Sequence, residues 1–190
     1  MEKIKKLKKI LDREKLDGYI IPKNDEFFNE YVPYHKDDLQ YISNFSGSYG
    51  IALISKKNNF LFVDGRYTVQ ANFQSGKAFK VVTLPLKKSK TNLYIKNYKI
   101  GFDPKLFNER SLNYFTKILS VEFIAINKNL VDFIKVRKNN LIKKKFYVLD
   151  NSITGQSCLN KIKNLKKYFY QNNIDIMLVT SSENVAWLLN

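Results

Sequence analysis

Cysteine and histidine each occur once in these 190 residues, as Cys158 and His35. One cysteine excludes an intramolecular disulfide, and one histidine with one cysteine excludes a Cys/His zinc cluster. A histidine-dependent nucleophile system would rest on His35 alone. Seven glycines and four prolines are too few for collagen-like or proline-rich linker sequence. No apolar run approaches the roughly 20 residues of a membrane span. The start, Met1-Glu-Lys-Ile-Lys-Lys-Leu-Lys-Lys-Ile10, lacks the apolar stretch of a secretory signal. The expectation from these absences is a cytoplasmic protein with no membrane partner. Arginine is also scarce, being confined to Arg13, Arg66, Arg110 and Arg137.

What is present is ample material for a packed core: 44% hydrophobic and 14% aromatic residues, with 26% charged. The length suits one domain, or one domain and part of another. The net charge of +16 comes almost wholly from lysine. Clustered cations would suit a phosphate backbone. These lysines are spread along the chain, however, and arginine, the better phosphate and base reader, is rare. Nucleic acid is therefore not the favoured partner, and the charge fits solubility or an acidic protein surface better.

Residues 3–15 place Ile4, Leu7, Ile10 and Leu11 on one helical face. Asp17-Gly18 ends that helix, and Tyr19-Ile20-Ile21 reads as a short buried strand before Pro22. A polar loop follows over 23–37, then a short helix at Asp38–Ser43. Tyr49–Ser55 and Phe60–Val63 read as strands of a hairpin turned at Lys56-Lys57-Asn58-Asn59. Tyr67–Phe73 reads as helix, with strands at Phe79–Leu84, Lys99–Phe102 and Val121–Ile126. Asn108 can cap a helix running to Leu119, and Asn129–Val136 looks helical. Single strands alternating with helices around one hairpin predict an α/β fold with a mixed sheet flanked by helices.

An internal repeat organises the whole. At an offset of 158 residues, Lys3, Ile4, Lys5, Leu7, Lys8, Lys9 and Asp17 fall on Lys161, Ile162, Lys163, Leu165, Lys166, Lys167 and Asp175. Tyr19-Ile20-Ile21 falls on Met177-Leu178-Val179, which predicts a second copy of the first strand. The second copy holds only its first helix, that strand and the start of Glu183–Leu189. The predicted organisation is a complete domain over 1–136, a linker over 137–149 with its basic stretch at Lys138–Lys145, and the incomplete beginning of a similar domain over 150–190.

Several motifs could carry chemistry. Val63-Asp64-Gly65-Arg66-Tyr67 sits where a strand gives way to a helix. Gly65 permits a tight turn, Asp64 can cap the helix start, and Arg66 has a planar fork suited to a carboxylate or carbonyl. Arg66 can equally pair with Asp64 and brace the turn. Gly47-Ser48-Tyr49-Gly50 leads into a strand and fits no phosphate-binding pattern, so it reads as a tight turn. Asp25, Glu26, Glu30, Asp37 and Asp38 could bind a divalent metal. They lack fixed spacing on a regular element and read as a solvated loop. His35, in the same loop, reads as a surface or capping residue.

The runs Gly18-Tyr-Ile-Ile-Pro22, Glu30-Tyr-Val-Pro33, Ile42-Ser-Asn-Phe-Ser-Gly-Ser-Tyr-Gly50, Val63-Asp-Gly-Arg-Tyr67 with Gln70-Ala71, Gly101-Phe-Asp-Pro104, Asn129-Leu-Val-Asp132 and Glu183-Asn-Val-Ala-Trp-Leu-Leu-Asn190 resemble the N-terminal region of three-domain Xaa-Pro aminopeptidases, of the creatinase N-terminal type. The resemblance implies two similar non-catalytic α/β domains ahead of a metal-dependent catalytic domain that this chain lacks. It implies no catalytic residue, no metal ligand and no cofactor within 1–190, and two divalent metal ions, manganese or similar, in the parent's third domain. Arg66 is the one functional residue it carries over, as a contact to the peptide substrate. The implied partners are the parent's own catalytic domain, the peptide and further copies in a homo-oligomer. A non-enzymatic protein-binding module of the same fold is the alternative. The chain departs from the family at Phe27, where histidine is usual, and at Lys135, where tryptophan is usual.

Overall fold

The computed structural model describes residues 2–86, 93, 95–135 and 145–190. The linker stretch Lys138–Lys145 lies, except for its last residue, outside the described residues. Two compact units are present, Met1–Lys138 and Asn139–Asn190.

The first unit opens with α1 (Glu2–Arg13), whose Leu7 and Leu11 are fully buried. Strand β1 (Gly18–Pro22) follows, then α2 (Asp38–Ser43), the hairpin β2 (Ile51–Ser55) and β3 (Asn59–Asp64), and α3 (Thr68–Ser75). Strands β4 (Lys80–Leu84) and β5 (Lys99–Phe102), α4 (Glu109–Leu119) and β6 (Glu122–Ala125) complete it. The six strands form one sheet in the order β4-β3-β2-β1-β5-β6. The β1/β2 and β2/β3 pairs are antiparallel, and β1/β5, β5/β6 and β3/β4 are parallel. This is the mixed sheet expected from the sequence.

The central strands carry near-continuous apolar runs, Tyr19–Ile21, Ile51–Ile54 and Phe60–Val63, because both sheet faces are covered. Alternate residues point to opposite faces. Tyr19, Ile21, Ala52, Ile54, Leu61 and Val63 pack with α1, α2 and Ala71 of α3. Ile20, Ile51, Leu53, Phe60 and Phe62 pack instead with Phe115 and Leu119 of α4. Asn108 caps α4 by accepting from Ser111 N–H at 2.9 Å. The segment expected as a helix over Asn129–Val136 is a single 3₁₀ turn, Leu130–Phe133, capped by Asn129. The Tyr19 hydroxyl donates to Asn129 Oδ1 and accepts from Leu130 N–H, fastening this turn to β1.

In the second unit, α5 (Asn151–Thr154), α6 (Cys158–Gln171) and α7 (Ser182–Leu189) are helical. Helix α6 includes Lys161–Lys167, the residues that the sequence aligns with Lys3–Lys9 of α1. The predicted strand Met177-Leu178-Val179 is not one: residues 174–181 adopt neither strand nor helix. A strand exists only through a partner, and β1 has β2 and β5 beside it, whereas the described part of this unit supplies neither. Met177 and Leu178 are exposed in consequence.

Candidate functional site

The corner after β3 holds the Asp64-Gly65-Arg66-Tyr67 motif. Asp64 closes the strand and caps the 3₁₀ turn Gly65–Tyr67 by accepting from Arg66 N–H at 2.9 Å. The same carboxylate receives Arg66 Nε at 3.2 Å and Nη2 at 2.7 Å. The side-chain bond from Arg66, helped by its backbone N–H and its charge, outweighs the opposing effect of burial and holds Asp64 below the usual carboxylate range. Arg66 is raised in turn, first by the bond it donates to Asp64 and then by the charge of that carboxylate. The Arg66 side chain nevertheless remains 75% exposed. Its guanidinium lies 5.3 Å from the centre of the Tyr67 ring, and that ring packs edge-on against Phe45 while its hydroxyl bonds Ser48 at 2.9 Å. Bracing and presentation thus coexist: Asp64 holds two guanidinium nitrogens, and Nη1 has no hydrogen bond among the described residues.

Gly65 has no left-handed backbone angle, and a side chain there would meet nothing within 4 Å. The corner is therefore fixed by the Asp64 cap and not by the glycine. Gly47 differs: a Cβ would lie 2.2 Å from Phe45 Cζ, in a ring that is fully buried. The Gly47–Gly50 bend needs glycine for close approach rather than for a turn conformation.

The acidic loop corrects the sequence reading. Asp25, Asp37 and Asp38 are only 3–4% exposed. Asp25 accepts from Phe27 N–H, Asn29 N–H and the Asn29 amide. Burial raises its pKa, but these bonds together outweigh burial and hold it below the ordinary carboxylate value. Asp37 caps α2 and pairs with Lys23. Asp38 receives Lys135 Nζ at 3.0 Å and the Asn129 amide at 2.9 Å. Lys135, at the position where the resembling family has tryptophan, answers this buried carboxylate and lies over the Tyr41 ring. Phe27, where that family has histidine, is exposed beneath Lys36 Nζ, 5.0 Å from its ring centre. His35 is half-buried in the same loop. Among the described residues no group of three or more His, Cys, Asp or Glu could hold a metal ion. These side chains do not fit a dinuclear centre, and no metal step is assigned to them.

A second feature adjoins the Arg66 corner. An open groove of about 430 Å³ runs between Tyr49 and Ile51, the end of β4 at Leu84-Pro85, and Arg110, Tyr114 and Phe115 of α4, with Asp64 in its wall. Tyr114 is held by accepting Leu86 N–H at 2.9 Å and packs edge-on against Phe115 at 5.2 Å. Burial, then Tyr114 and Asp64 nearby, push the Tyr49 phenol above its ordinary value. Sequence reasoning missed this groove, since its walls come from four separate elements.

Comparison with known proteins matches residues 3–133 to the Creatinase/Prolidase N-terminal domain, and residues 137–190 to a second family model of the same description. The chain belongs to the creatinase/prolidase N-terminal domain family. It is 28% identical over its whole length to Xaa-Pro aminopeptidase 1 of Dictyostelium discoideum, of which it covers 33%. It is 30% identical, again over its whole length, to a probable Xaa-Pro aminopeptidase P of Laccaria bicolor, covering 31% of it. The chain thus spans about a third of the curated relatives it matches. Among solved structures, the X-prolyl aminopeptidase of Caenorhabditis elegans, described as a cytosolic enzyme with a di-nuclear active site, superposes with a TM-score of 0.74 at 25% identity. That match covers 98% of this chain and 34% of the nematode chain.

Proposed function

We propose that this chain is the non-catalytic amino-terminal part of a metal-dependent Xaa-Pro aminopeptidase that works in the cytosol and removes the residue preceding proline. The observation that carries the reading is the match of the whole chain to about the first third of such enzymes. The exposed, braced guanidinium of Arg66 supports a role in holding the peptide, because a fixed fork can meet a carboxylate or carbonyl. Divalent metal ions, held by residues of the catalytic part and not by this chain, would supply the activation of water for hydrolysis. What residues 1–190 contribute is packing against that part, contacts between subunits, and Arg66. The test is hydrolysis of Xaa-Pro and Xaa-Ala peptides by the protein that contains this chain and its continuation, beside the 190-residue chain alone. Release of the first residue from Xaa-Pro peptides by the longer protein only is the expected result. Metal-dependent cleavage by the 190-residue chain, abolished by a substitution within it, would overturn the assignment.

A further inference from the structure

The groove beside Arg66 has the anatomy of a small-ligand site: an apolar floor, a few polar groups at the rim, and a volume within the roughly 300–1,000 Å³ range of such sites. Of the lining residues, Ile51 and Phe115 are buried and with Leu84 form the floor, Pro85 is exposed at the edge, and Tyr49, Ser111, Tyr114, Asp64 and Arg110 supply the polar groups. The Asp64 carboxylate is already engaged by Arg66. Arg110 is exposed and makes no hydrogen bond or ion pair among the described residues. The charge left over at the rim is therefore positive, which suits a carboxylate above an apolar side chain. A short peptide carries both groups on its last residue.

We propose that this groove is a subsite for the portion of a peptide that follows proline, with the floor taking an apolar side chain and Arg110 taking the free C-terminal carboxylate. The inference rests on the peptidase reading above and narrows its substrates to short peptides with an apolar or aromatic residue after proline and an unblocked C-terminus. Arg66 and Arg110 then share the work. On this reading Arg66 meets groups common to every peptide, while Arg110 and Tyr49 select among peptides.

The experiment measures kcat/KM of the full-length protein on Ala-Pro-Phe, Ala-Pro-Ala and the C-terminal amide of Ala-Pro-Phe. The wild type should favour the free acid over the amide about tenfold, the scale of one charge-assisted hydrogen bond. It should also favour Phe over Ala at the third position. Arg110→Gln should collapse the first ratio towards one and spare the second. Tyr49→Ala should do the reverse, with both losses appearing in KM. Arg66→Ala should lower all three peptides together. If Arg66→Ala does so while the other two variants leave both ratios intact, the groove proposal fails and the peptidase reading stands. If no Xaa-Pro peptide is cleaved at all, the peptidase reading fails, and amide shifts on titrating Ala-Pro-Phe into the 190-residue chain decide the groove. Shifts at Tyr49 and Arg110 that vanish with the amide would uphold it as a peptide site, and unmoved resonances there would overturn it.

Discussion

Arg66 and Lys135 show how much a single position can and cannot disclose. The strand-to-helix corner of Arg66 was legible because Asp64 and Gly65 are punctuation residues, although the structure gives the work to the aspartate. In the full-length enzyme Arg66→Ala should lower kcat/KM by about tenfold to a hundredfold through a lost charge-assisted bond. Lysine should rescue poorly for want of the planar fork. Unchanged metal content and melting temperature separate this effect from misfolding, and full retention of activity would reduce Arg66 to a brace. Lys135 was opaque in the sequence, since its partner Asp38 lies 97 residues away. Both side chains are less than a tenth exposed. Lys135→Met should therefore destabilise the first unit by about 3–5 kcal/mol, because it strands a buried carboxylate. Adding Asp38→Asn should restore part of that loss. Urea melts of the single and double variants would show strict additivity if the pair is only a surface contact.

At the level of elements, the strands and helices of the first unit were readable because their apolar periods are clean and both faces of the sheet are covered. The glycine bend at 47–50 was readable as a break but not for its cause, which is a ring packed against bare backbone. Gly47→Ala should thus be costly despite an ordinary backbone conformation. The displaced Phe45 ring would carry Tyr67 with it, and we expect a loss of about 1–3 kcal/mol, the usual scale of overpacking. A thermal melt beside that of Gly65→Ala makes the comparison internal, since the second site has open space and should be near neutral. Equal destabilisation by the two would contradict this account. The segment 174–181 shows the opposite failure. Its apolar pattern matches β1, but pattern confers a strand only where neighbours stand ready to pair.

For the molecule as a whole, the two units differ in how completely they bury themselves. The first has a core on each face of its sheet. The second leaves Leu159, Tyr170, Ile176 and Leu178 in contact with solvent. Trp187, the only tryptophan, belongs to the second unit and is 62% exposed. Its fluorescence therefore reports that unit alone, while far-ultraviolet circular dichroism is weighted towards the larger one. On urea titration of the 190-residue chain, the fluorescence change should be complete at lower denaturant than the dichroism change. Superimposable curves would mean that the chain unfolds as one cooperative body.

The fastening of β1 by the Leu130–Phe133 turn has a consequence for synthesis on the ribosome. The antiparallel partner β2 follows β1 after the loop and α2, but Gly18 also faces Ile100 of β5. The Tyr19 hydroxyl waits still longer, for Asn129 and Leu130, as Tyr41 waits for the carbonyl of Ile134 and Asp38 for Lys135. The strand made first is thus clasped by the turn made last. A nascent chain halted just short of residue 135 would hold all six strands but leave the buried Asp38 carboxylate without its cation, a state inviting chaperones or proteases. The clasp can close only when the whole sheet has emerged, since residues 129–135 follow β6.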